Sequence, residues 1–230
     1  LYLLEAGRTA DALALYDTRV HHAGSEGVVL EMIDASALLW RLFVDGEDTG
    51  DRFATLANAW AGPAAAEPWY AFNDVHAVMA LAGAGRTAEA RAVIERLARV
   101  AAGPAAPGAS NHAMTSAVGL PASRAVLAFA EGRHHDVLDD LVPIRGHLAR
   151  FGGSHAQRDA LVRTAVESAV AAGEGDLARA LVRERLSLRE SSVYYRLREA
   201  RIAALAGDLV TARAAEHEAG VRQRRFAAAR

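Results

Sequence analysis

The sequence predicts an all-α fold, a superhelical stack of about six helical hairpins, and three observations predict it. One pattern recurs five times: an apolar stretch rich in Ala and Leu, then Gly, then a short polar turn, with a small or aliphatic residue five positions after the Gly. The glycines are Gly7, Gly85, Gly132, Gly173 and Gly207, and the residues that follow them are Ala12, Ala90, Val137, Ala178 and Ala212. Gly in the left-handed conformation ends one helix, and the small residue lets the next helix pack closely against it. The spacing is the second observation. The last interval is 34 residues, the tetratricopeptide period, the others are 41, 47 and 78, and Gly46 divides the 78 into two of 39. Third, no strand-like alternation longer than about four residues survives inspection.

The elements follow in order from these turns. Helices over 1–6 and 9–22 form the first hairpin, and 29–44 with 51–61 the second, whose turn GEDTGD runs four residues longer. Helices 68–83 and 87–101 form the third, followed by the surface linker GPAAPGAS at 103–110 and a short helix over 111–117. Then come 121–131 with 134–150, 155–172 with 176–188, and 191–206 with 209–228. Thr9 and Thr87 are expected as N-caps, with Asp11 and Glu89 in the first turn facing the positive end of the helix dipole. Pro63, Pro68, Pro104, Pro107, Pro121 and Pro143 are expected mostly at turns or first turns. The whole of 1–230 reads as a single helical-repeat domain. It begins at Leu1 inside the apolar run LYLLEAG, so the reading is of a C-terminal fragment of a longer repeat protein. Such a fragment would expose apolar surface at Leu1 and self-associate.

Composition excludes several function classes. With 52% hydrophobic and 23% charged residues, the 230-residue chain can bury a core. Its 26 basic and 28 acidic residues leave a formal charge of −2, without the positive field that binding a phosphate backbone requires, so no nucleic-acid partner is expected. The absence of cysteine excludes disulfides, thiolate metal sites and a cysteine nucleophile. The longest uncharged run, Val100 to Ser123, is interrupted by Gly, Pro, Ser and Asn before it reaches bilayer length, so no membrane span is expected and the location is read as cytoplasmic. No HExxH, GxSxG, phosphate-binding glycine loop or EF-hand pattern is present.

Three polar segments depart from the Ala and Leu scaffold. In EMIDASALLWRL (31–42), Asp34 and Arg41 lie two turns apart on one helix face, framed by Trp40, and could anchor a polar ligand, form a structural ion pair or stand as two solvated charges. In WYAFNDVHAVMA (69–80), Asn73 and His76 share a face within an otherwise apolar helix, with Asp74 projecting elsewhere. They could orient a substrate, bind a metal through the imidazole with a further ligand from another helix, or satisfy backbone in a neighbouring hairpin. In GGSHAQRDA (152–160), Gly152 and Gly153 end one helix, Ser154 caps the next, and Gln157 closes a capping box. His155, Arg158 and Asp159 could line a site at that helix start.

LYLLEAGRTADALALYDTRV, MIDASALLWRL, AFNDVHAVMA and GGSHAQRD occur in that order and together resemble the C-terminal half of the tetratricopeptide repeat protein 38 family and its bacterial relatives, over roughly residues 1–188. The resemblance implies an all-helical repeat protein without an activity to carry over. It places Asp34, Asn73, Asp74, His76, His155, Gln157, Arg158 and Asp159 on that family's polar motif positions. Leu3 stands where relatives tend to carry His. The leading expectation is a scaffold without catalysis, cofactor or metal that binds a peptide or protein partner in a concave groove. The alternatives are an enzyme or small-ligand binder using a polar site around His76 and His155, and the regulatory repeat region of a multidomain transcriptional activator.

Overall fold

Six turns share one backbone motif. Gly7, Gly46, Gly85, Gly132, Gly173 and Gly207 have φ between 71° and 79°. Each glycine N–H bonds back three residues and the next N–H bonds back five, as Gly85 does to the Ala82 carbonyl (3.0 Å) and Arg86 to that of Leu81 (2.8 Å). This closes the carbonyls left over at a helix end. At Gly85 and Gly132 nothing stands within 4 Å of where a β-carbon would be, so the left-handed φ, and not crowding, calls for glycine there. Ala12, Ala90, Val137, Ala178 and Ala212 are all buried, as their position after each turn requires.

The computed structural model describes residues 1–22, 27–66, 70–105, 108 and 110–228. Among them every regular element is a helix and none is a strand. They gather into two compact units, Tyr16–Ser168 and a discontinuous unit of Leu1–Leu15 with Ala169–Arg230.

In the larger unit, α3 (Val29–Val44), α5 (Ala71–Gly83) and α8 (Leu120–Ala130) lie side by side, with α5 in the middle. Each is backed by the helix after its turn: α4 (Arg52–Ala65) packs on α3 and α5, α6 (Thr87–Ala102) on α5 and α8, and α9 (His134–Ile144) on α8. Trp40 and Trp60 anchor the core, 0% and 2% exposed. Their indole N–H groups donate to Thr164 Oγ1 (2.9 Å) and Ser36 Oγ (3.0 Å), so the largest apolar side chains bring no unpaired polar atom inside. Thr164 belongs to α10 (His155–Ala171).

The smaller unit combines α1 (Tyr2–Glu5) and α2 (Thr9–Leu15) with α11 (Gly175–Leu188), α12 (Val193–Leu205) and α13 (Leu209–Ala228). Glu5 is 2% exposed and its Oε2 accepts the N–H groups of Val193 (2.6 Å) and Tyr194 (3.2 Å), while Ser192 Oγ donates to Oε1 (3.1 Å). A carboxylate from α1 thus meets the first turn of α12, where the helix dipole and free N–H groups favour negative charge. The Tyr2 ring leans edge-on against Phe226, 5.6 Å between centroids. In a linear array of hairpins only sequence neighbours touch; here the first helix shares a core with the last hairpin.

Several boundaries differ from the sequence reading. The segments at 111–117 and 121–131 are joined: α7 (Ser110–Met114) passes through a π-helical stretch, Thr115–Gly119, into α8. Pro121 has no N–H to offer, and the wider π turn absorbs that loss without ending the helix. The joined helix Ser110–Ala130 is therefore long and apolar enough to cross a membrane by length and composition, with half of that window buried in the protein. Pro63 lies within α4, which runs on to Ala65, and Pro143 within α9, which tightens straight afterwards into a 3₁₀ segment, Arg145–Phe151. Thr87 is the first residue of α6 and not its N-cap, which is Arg86. The expected helix start at Pro68, and Pro107 of the linker, lie outside the described residues.

Candidate functional site

The three polar segments meet around the N-terminal half of α5. Asn111 of α7 sets the start of that helix, its Oδ1 accepting the Ala71 N–H at 2.8 Å. The Phe72 ring then sits between His76 (4.4 Å) and Phe151 (5.0 Å). Gly153 presses on this ring so closely that a β-carbon would overlap it, and its φ is +71°. FNDVHA and GGSHAQRD are therefore in direct contact.

The expected capping box forms, with the Gln157 N–H donating to Ser154 Oγ (3.2 Å) and the Ser154 N–H to Gln157 Oε1 (2.6 Å). The other end of the Gln157 amide donates to Asp34 Oδ1 at 2.8 Å, which brings in the segment 31–42. Arg158 donates to the carbonyls of Gly152 (2.9 Å) and Gly153, holding the glycine turn, and its Nη2 lies 3.4 Å from His155 Nδ1. Asp159 is 2% exposed and accepts from Arg163 Nε at 3.0 Å, while Arg163 Nη1 reaches Asp45 at 3.5 Å.

His76 is buried, and its Nδ1 donates to the Phe72 carbonyl at 2.7 Å. Burial pushes its pKa down to about 4, and the nearby Arg41 charge adds to that, against the raising effect of the Phe72 hydrogen bond. The imidazole is thus neutral at pH 7, with Nε2 as an acceptor that meets no hydrogen-bond partner among the described residues. Asp74, half-buried on the neighbouring face, is pushed up to about 6 by burial, with Arg96 pulling the other way. Asn73 is half-buried and His155 exposed.

Of the readings open for Asp34 and Arg41, the ion pair between them does not form. Asp34 is exposed and holds Gln157, whereas Arg41 is 3% exposed, turned inward with Nη1 on the Ala37 carbonyl (3.1 Å). Seven residues bring Arg41 back to nearly the face of Asp34 but about 10 Å further along the axis, and its side chain folds back only as far as the Ala37 carbonyl. Among the described residues, no group of three or more His, Asp or Glu is placed to hold a metal ion.

A second feature, which motif reading did not single out, is an open groove of about 510 Å³ between α6 and the α8–α9 hairpin. Ile94, Leu127 and Ala128 supply its apolar lining. Its arginines are held by carboxylates: Arg91 and Arg133 by Glu131, Arg133 also by Asp136, and Arg124 by Asp140 at 3.1 Å from Nε. Glu95 and Asp139 are exposed on its walls with no cation at ion-pair distance among the described residues.

No protein-family model matches the chain, and no solved structure matches it.

Proposed function

We propose that this protein is a helical-repeat scaffold, of the tetratricopeptide type, that binds a peptide or protein partner. The groove between α6 and the α8–α9 hairpin carries this reading: it joins an apolar lining to charged walls and lies at the seam between successive hairpins. The hairpin turns and the succession α3, α5, α8 support the repeat type, as does the resemblance to the tetratricopeptide repeat protein 38 family. The polar cluster around His76 acts as internal fastening in this reading, because Gln157, Arg158 and Asp159 are each engaged by protein partners.

Selection from an unbiased displayed-peptide library tests the proposal. Enriched peptides should bind the purified protein, and Ile94→Glu, which places a charge on the half-buried lining, should weaken them by about tenfold or more. Binding that is indifferent to Ile94→Glu, or the absence of any enriched peptide, would overturn it.

A further inference from the structure

The groove has a counterpart in the other unit. A pocket of about 80 Å³ lies between α11 and the α12–α13 hairpin, and its lining occupies the same places relative to the turn glycines. Nine residues after the glycine stand Ile94 and Val182; five and four before the next glycine stand Leu127 and Ala128 in one, Ile202 and Ala203 in the other. Arg91 and Arg179 match six residues after the glycine.

Three of the remaining wall charges are reversed, while Asp136, Asp139 and Asp140 answer to the uncharged Thr211, Ala214 and Ala215. Glu95 answers to Arg183, Arg124 to Glu199, and Arg133 to Asp208. Repeat geometry therefore fixes the apolar lining and leaves the walls to set preference. In the larger groove all three arginines are tied up by Glu131, Asp136 and Asp140. The charge left over is that of Glu95 and Asp139, both negative. In the smaller pocket the position of Glu95 is held by Arg183, and the space is too small for more than a single side chain.

We propose that the α6/α8–α9 groove takes a basic, aliphatic peptide segment, with an aliphatic side chain against the half-buried Ile94, above the buried Leu127, and cationic side chains toward Glu95 and Asp139. This rests on the peptide-binding reading above and names the class of peptide. Charges at an open rim set partner preference more than total affinity. The expected signature is thus discrimination between peptides that differ only in charge.

The test uses fluorescence anisotropy of the whole chain with a labelled peptide of Leu and Arg on a Gly and Ala background, and with its counterpart carrying Glu at every Arg position. The Arg peptide should bind at least about tenfold more tightly. Glu95→Arg with Asp139→Arg should abolish or invert that preference, while Arg183→Glu in the smaller pocket should leave it unchanged. Both reversed residues are exposed, and circular dichroism checks that the variant folds. Equal binding of the two peptides, a preference for the Glu peptide, or a preference untouched by the double reversal would overturn the proposal. If the library peptides remain sensitive to Ile94→Glu in those cases, the groove stands and only its charge preference fails; if they do not, the groove itself fails.

Discussion

His76 and Asp74 titrate in opposite senses, and their adjacency on α5 gives a pH signature. The folded pKa of His76, about 4, lies below its ordinary 6.5. The unfolded chain therefore takes up the proton first, and this group costs stability as pH falls from 6.5 to 4. The folded pKa of Asp74, about 6, lies above its ordinary 3.8. The native state keeps that proton longer, so this group costs stability as pH rises from about 4 to 6. Between pH 4 and 6 the two slopes oppose each other. Asp74→Asn should leave the His76 slope, so that, relative to the parent, stability declines on acidification by on the order of 1 kcal/mol per pH unit. His76→Phe, which keeps a ring against Phe72, should show the opposite trend. Denaturant melts across pH 4–7 compare the three proteins, and parallel curves would remove the argument.

At the scale of elements, the turn glycines test two different constraints. Gly132→Ala meets only the left-handed backbone and should cost about 1–2 kcal/mol. Gly153→Ala meets the same backbone demand and also the Phe72 ring, so it should cost more and release the contact between the segments. Thermal melts of the two variants rank them, and an equal or smaller loss for Gly153→Ala would show that the ring can move aside. The contrast explains what could be read in advance. The glycine turns, the buried residue five places later and the Ser154–Gln157 capping box were legible because each is decided within a few residues. Arg163 with Asp45, and Glu5 on α12, were not, because their partners lie 118 and 188 residues away. The groove left a trace that motif reading overlooked: charge reversals at fixed distances from the turn glycines. Pro121 stands in the first turn of α8 as expected, but the gap expected before it is bridged by a π turn, which sequence pattern does not signal.

For the whole molecule, the telling interaction is Glu5 with α12. Glu5→Ala would leave two backbone N–H groups and the Ser192 hydroxyl without their acceptor in a buried place, at a cost of about 2–3 kcal/mol. Hydrogen exchange should quicken in α12 and α13 while α3 and α5 keep their protection, since those helices belong to the other unit. Uniform quickening throughout would mean that the two units open together. The same contact also has a consequence in time. A ribosome releases Glu5 early and Val193 late, with the whole of Tyr16–Ser168 in between. The larger unit can thus assemble while synthesis continues, whereas Leu1–Leu15 lacks its α12 partner until that helix emerges. Refolding should accordingly show two phases, with the slower one, sensitive to Glu5→Ala, reporting closure of the 188-residue loop between Glu5 and Val193.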